Sequence, residues 1–244
     1  MERKINQSIV QRITIIAATV LMSTQLAWGA AITVTKHNLA SNSINEYRAV
    51  SGGTTMVCIF CHTPHSPIGV PLWNRYPGIV PLASYRLYST SPTMKNIANS
   101  SGISEQSVSS LCISCHDGSP LGGANLRIQP VDGLSTVMGP NGEVGIAPER
   151  KTHKGPDLRN HHPVNFNVTV GGAANGLGEI IETYPGYFAI KTSRVQQSMP
   201  LFTSPRGNRS LECGSCHTVH DDDSKPFLRT TMAGNVLCLA CHVQ

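Results

Sequence analysis

Eight cysteines fall into four copies of one pattern: Cys58-Ile-Phe-Cys61-His62, Cys112-Ile-Ser-Cys115-His116, Cys213-Gly-Ser-Cys216-His217 and Cys238-Leu-Ala-Cys241-His242, and no cysteine is left over. Pairs of thiols at this spacing can bind zinc, act as a redox dithiol or join a disulfide framework. None of those chemistries requires a histidine directly behind the second thiol each time. Covalent attachment of a c-type haem does: two thiols add to the macrocycle as thioethers, and the histidine fixed beside the second reaches the iron. The expectation is four covalent haems c, with His62, His116, His217 and His242 as proximal ligands.

Ten histidines are present, so six remain after the proximal four: His37, His65, His153, His161, His162 and His220. That is enough to give every iron a second imidazole. His65 and His220 each stand three residues after a proximal histidine, and neither easily reaches its own haem, because the second ligand must approach from the face the first does not occupy. Each is expected to serve a neighbouring haem, and in helical backbone this spacing holds the two rings close, at about 5–6 Å between Cβ atoms. His162 precedes Pro163, which restricts it to extended backbone and presents it rigidly. The expected distal set is His37, His65, His162 and His220, with His161 and His153 as substitutes. Methionine is the other soft axial ligand, but Met56, Met94, Met138, Met199 and Met232 lack a motif context and are expected to pack. Asp221, Asp222 and Asp223 read as a solvated turn, with calcium contact or lowering of a haem potential as the alternatives.

The elements that must carry these residues are sparse. Hydrophobic residues are 40% of the 244 and aromatics 5%, while 22 glycines and 16 prolines break up long elements, so a large side-chain core is not expected. Ser104 to Cys112 is expected to form a short helix capped by Ser101 or Ser104. Val164 to Val170 alternates and ends at Gly171-Gly172, a strand pattern. Leu121 to Pro148 reads as loop. The expected fold is mostly irregular coil with short helices and a few short strands, organised around four haems.

Arg3, Lys4 and Arg12 precede an apolar run from Ile13 to Leu26 and a small-residue cleavage site near Gly29. Residues 1–29 are therefore expected to be a signal peptide, because the run is shorter than the roughly 20 residues a spanning helix requires. No later stretch looks transmembrane. Its removal takes three basic and one acidic residue from the 19 and 14 of the full chain, leaving 16 against 13. With that modest surplus and no basic patch with interleaved aromatics, nucleic acid is not an expected partner.

The order of ligands repeats along the chain. His37 precedes CxxCHTPH and then a plain CxxCH; His162 precedes CxxCHTVH and then another. Two dihaem units are expected, residues 30–125 and 126–244, within one continuous tetrahaem domain. In each, the upstream histidine is expected to serve the first haem and the H-x-x-H histidine the second.

Met56-Val-Cys58-Ile-Phe-Cys61-His62-Thr-Pro-His65, the upstream Lys36-His37-Asn-Leu-Ala, Leu111-Cys112-Ile-Ser-Cys115-His116-Asp-Gly118, His162-Pro-Val-Asn-Phe166 and Pro200-Leu-Phe with Leu211-Glu-Cys213 together resemble the extracellular tetrahaem cytochromes of the OmcE type. Where that family has an acidic residue before His-Pro, this chain has His161. The resemblance implies a secreted, cell-surface protein that polymerises with copies of itself into a nanowire filament, with a distal histidine sometimes supplied by the neighbouring subunit. It implies electron transfer from redox partner cytochromes to external acceptors. A soluble periplasmic electron shuttle is the alternative. An enzyme would need an open iron, marked by a lysine-ended motif or a missing distal histidine, and the chain shows neither.

Overall fold

The computed structural model describes residues 32–63, 72–78, 80–89, 91, 102–117, 126–127, 131–137, 156–169, 171–172 and 176–243. The expected signal peptide, His65 and His153 lie outside them. Among the described residues no helix is long and apolar enough to cross a membrane.

The helices are single turns or little more: α1 is Val108–Ile113, α2 Cys213–Cys216 and α3 Val236–Leu239, each contributing a cysteine motif, and a 3-10 turn at Val57–Phe60 leads into the first motif. Helix α1 starts later than expected. Gln106 has a φ of 62°, which interrupts helical backbone there, and the cap is Ser107, whose side chain accepts the Ser110 N–H.

Among the described residues seven strands form two sheets. Strand β1, Arg86–Leu87, pairs in parallel with β2, Asp157–Leu158. The larger sheet has five antiparallel strands in the order β3-β7-β6-β5-β4: β3 is Phe166–Asn167, β4 Glu179–Tyr184, β5 Tyr187–Lys191, β6 Met199–Ser204 and β7 Gly207–Leu211. The strand expected over Val164–Val170 is thus the two-residue β3. The β4–β5 hairpin turns through Pro185-Gly186, with proline's fixed φ at the first position and Gly186 at φ +80° at the second, the combination a type II turn requires.

Among the described residues three small apolar clusters take the place of a single core, and each supports a motif. Leu39, Ala49, Ile59 and Phe60 pack against Cys61 and Cys115. Tyr85, Leu87, Ile103, Ile113 and Leu158 join β1 and β2 to α1. Val168, Ile190, Leu201 and Leu211 form the buried face of the large sheet, against which Cys241 sits. Met199 is buried with this sheet, whereas Met56 and Met232 are exposed.

The two sequence halves interlock. The β1–β2 pair spans them. Thr54 Oγ1 donates to Asp132 Oδ2 at 2.7 Å, and Ser104 N–H donates to Asn165 Oδ1 at 2.8 Å.

Candidate functional site

All four motifs share one backbone device. The histidine N–H donates to the carbonyl of the first cysteine: His62 to Cys58 at 2.8 Å, His116 to Cys112 at 2.9 Å, His217 to Cys213 at 3.0 Å and His242 to Cys238 at 2.8 Å. That single i to i+4 turn sets the first thiol, the second thiol and the imidazole at fixed spacing. Antiparallel bridges from His62 to Trp73, His217 to Leu228 and His242 to Leu177 pin the strand leaving three of the turns.

None of the eight cysteines is joined in a disulfide. Burial raises the Cys61 and Cys241 thiols to about 12, and it raises Cys115 and Cys216 as well. Cys112 is raised chiefly by its hydrogen bond with Cys213, which is lowered by the same contact. A redox dithiol needs a depressed thiol, whereas burial raises one thiol of every pair, Cys61, Cys115, Cys216 and Cys241. Nor, among the described residues, do three or more His, Cys, Asp or Glu side chains gather into a metal shell, whereas structural zinc takes four ligands.

The thiols also reveal the order of the motifs in space. Cys61 and Cys115 pack on one apolar cluster, Cys112 bonds Cys213, and Cys216 lies within electrostatic reach of Cys241 and Cys238. Consecutive motifs are therefore neighbours, from first to fourth.

Three of the expected distal histidines stand opposite proximal ones. The ring centroids of His62 and His220 are 6.1 Å apart with planes at 27°, those of His37 and His116 6.1 Å apart at 80°, and those of His162 and His242 6.3 Å apart at 61°. The pairing differs from the one expected. His37 faces the second motif, not the first; His220 faces the first, not the fourth; His162 faces the fourth, not the third. The cause is tertiary: His37 Nδ1 contacts the Val219 carbonyl at 3.4 Å and its ring stacks on Phe227 at 4.3 Å, so residues 37, 219 and 227 converge. His161 adjoins the His162 pair, with its N–H donated to Leu158 O at 3.0 Å.

A carbonyl can only accept, so the Nδ1 contacts of His37 with Val219, of His162 with Pro163 at 3.0 Å and of His217 with Pro226 at 3.1 Å require the proton on Nδ1. Each Nε2 is then bare and available to a metal. Burial, followed by the neighbouring His116, lowers His37 to about 4, and burial also lowers His162 and His217. These imidazoles are neutral at pH 7, the form that binds iron.

Residues 205–244, which hold the third and fourth motifs, match the family model described as a doubled CXXCH motif. That match supports a multihaem c-type cytochrome. No curated protein matches the chain. The motifs indicate covalently bound haem c. The ring pairs fit such a group: with a metal–imidazole bond of about 2.0 Å on each side and about 1.1 Å from ring nitrogen to ring centre, two imidazoles sharing one metal would stand about 6.2 Å apart. A bound haem would supply a one-electron iron couple, and the motif histidines with the imidazoles that face them would hold its iron.

Sequence reasoning missed Glu212, which ties the second motif to the third. It is 1% exposed. Its carboxylate accepts from Ser109 N–H at 3.2 Å, from Asn165 Nδ2 at 3.1 Å and from the hydroxyls of Ser109 and Ser210, and it caps α2 through a reciprocal bond with Ser215. A glutamate before a cysteine carries no signal of this role, because its donors come from residues 47 and 103 positions away. Replacing Glu212 with alanine strands these donors in the interior and is expected to lower the holoprotein's unfolding free energy by on the order of 3 kcal/mol. Chemical denaturation checks this, and Glu212→Gln, which keeps an acceptor, is expected to lose less. In the acidic run Asp221 Oδ1 accepts the Asp223 N–H at 2.9 Å and Asp222 Oδ1 the Phe227 N–H at 2.8 Å, and Asp221 and Asp222 are half-buried while Asp223 is exposed.

Proposed function

We propose that this chain is a tetrahaem extracellular electron conduit whose four haems are all held between two histidines. The observation that carries the reading is the row of motifs, each beside the next, together with three proximal rings that each face a second imidazole at the spacing two ligands of one iron would have. With His37, His162 and His220 facing the second, fourth and first motifs, His65, His153 and His161 remain for the iron at His217, and of these His65 belongs to the expected distal set. The two H-x-x-H segments then exchange ligands, which ties the first haem to the third. Irons occupied on both faces pass electrons and do not bind substrate, so the protein acts as a carrier and not as an enzyme. Two imidazoles per iron favour low potentials relative to histidine–methionine ligation, suited to the exit end of a respiratory path.

The resemblance to the OmcE-type cytochromes supports the further step, secretion and self-association into a filament that delivers electrons to external acceptors. Electron cryo-microscopy of the native haem protein sheared from its producing cells tests it. Filaments with an unbroken row of haems are the expected result. Monodisperse monomers confined to the periplasmic fraction overturn the filament in favour of a shuttle.

A further inference from the structure

Arg75 is 2% exposed, and among the described residues its Nε and Nη1 have no hydrogen-bond partner; nor has the buried Nε1 of Trp73. Unpaired buried donors on a cation are costly, because a guanidinium removed from water must be repaid by an anion or by acceptors. The sulfurs of Cys115, which hydrogen-bonds Arg75, and of Cys61 lie nearby. Under the reading proposed above, on which this inference rests, both become thioethers, and a thioether carries no charge to offset the guanidinium.

The segment bearing these donors is fixed in place. Asn74 N–H donates to Cys61 O at 2.9 Å and its side chain to Ile59 O at 2.7 Å. Arg127 N–H donates to Asn74 O at 2.8 Å and Arg127 Nε to Arg75 O at 3.0 Å. Residues 73 and 75 are separated by two positions of bridge-paired backbone, so their side chains leave on one face while Asn74 points to the other. Trp73 in addition meets the His62 ring edge-on, with centroids 5.9 Å apart. Asp117, the described carboxylate that acts on Cys115, takes the Val80 N–H at 3.4 Å and makes no bond to Arg75 Nε or Nη1.

We infer that Trp73 and Arg75 form a buried carboxylate cradle whose ligand is a haem propionate, seated between the first and second motifs. The chemistry is specific: a planar guanidinium presents paired N–H groups that match a carboxylate, and the indole N–H adds a third donor. The cradle does two things: it neutralises a propionate that the cluster of Leu39, Ala49, Ile59 and Phe60 cannot solvate, and it places a fixed positive charge beside the haem that owns it. A cation there disfavours the ferric state, which carries one more positive charge than the ferrous, and so raises that haem's potential.

The experiment uses the mature holoprotein. Its haem content, from mass and pyridine haemochrome spectra, first decides the cytochrome reading: a chain that matures without haem refutes that reading, and the cradle with it. In the haem-loaded protein, a high-resolution structure is expected to show carboxylate oxygens within hydrogen-bond distance of Arg75 Nε or Nη1. Spectroelectrochemical titration of Arg75→Gln is expected to move one or two midpoints negative and leave the rest in place, with Arg75→Lys restoring part of the shift. Full haem loading with only water or protein groups at these nitrogens overturns the cradle and leaves the cytochrome standing. So do unchanged midpoints in Arg75→Gln. If that variant fails to mature, the wild-type structure decides alone.

Discussion

Replacing His220 with alanine is expected to open the sixth coordination position of the haem attached at Cys58 and Cys61, and of no other. His220 lies 24 residues upstream of the chain's end and three after the third motif's proximal histidine, yet its ring is 6.1 Å from that of His62. The variant is expected to bind one carbon monoxide per protein when reduced, and to show one high-spin iron when oxidised, where the parent shows neither. The midpoint of that haem is expected to shift by on the order of 100 mV, a fraction of the about 0.8 V that axial ligands span. Adding Cys58→Ala and Cys61→Ala to the variant removes the haem in question. Carbon monoxide binding that survives this second change refutes the pairing and returns His220 to another site.

The contrast between what was legible in the chain and what was not follows from the range of the forces involved. Covalent attachment needs two thiols and an imidazole on one turn, so Cys58, Cys61 and His62 and their three counterparts announce themselves within five residues. Which distal ring meets which proximal ring depends on contacts that sequence spacing does not carry. His37 is placed by a carbonyl 182 positions away and by the face of Phe227. Repeat symmetry suggested that each half would ligate its own haems, but Glu212, Asn165 and the β1–β2 pair lace the halves together and bring the 217–220 segment against the first motif.

The meander over 179–211 was equally hidden. Strand β4 is mostly exposed and does not alternate, with only Ile180 and Ile181 half-buried, and β6 contains Pro200, which reads against a strand in the middle of a sheet. Its two tight turns, at Pro185-Gly186 and Pro205-Arg206, were the available signals, and Pro-Gly between Ile180-Ile181 and Phe188-Ala189-Ile190 marks a hairpin once the turn is recognised.

Preventing haem attachment, by exchanging all eight motif cysteines for alanine, is expected to unfold the motif turns while part of the large sheet persists. The reasoning starts from helix length: α1, α2 and α3 are six, four and four residues long, far below the roughly 12–15 at which a helix holds in water by itself. Tertiary support must come from apolar contact, and the clusters under the first two motifs have four and five buried members. That is little to set against the backbone entropy of the long irregular segments they must order, roughly 1–2 kcal/mol per residue. Strands β4 to β7 differ, because each pairs with the next, with irregularities at Glu182/Tyr184 and Phe202/Ser204, and Ile190, Leu201 and Leu211 pack with Val168 on one face of the sheet. Hydrogen exchange separates the two behaviours. Amides of residues 57–62, 108–116 and 236–242 are expected to lose on the order of 10³-fold in protection relative to the holoprotein, the equivalent of about 4 kcal/mol. Amides within 187–211 are expected to remain the slowest in the cofactor-free chain. Holo-like protection of these three motif turns without haem contradicts this, since they would then be held by protein contacts alone.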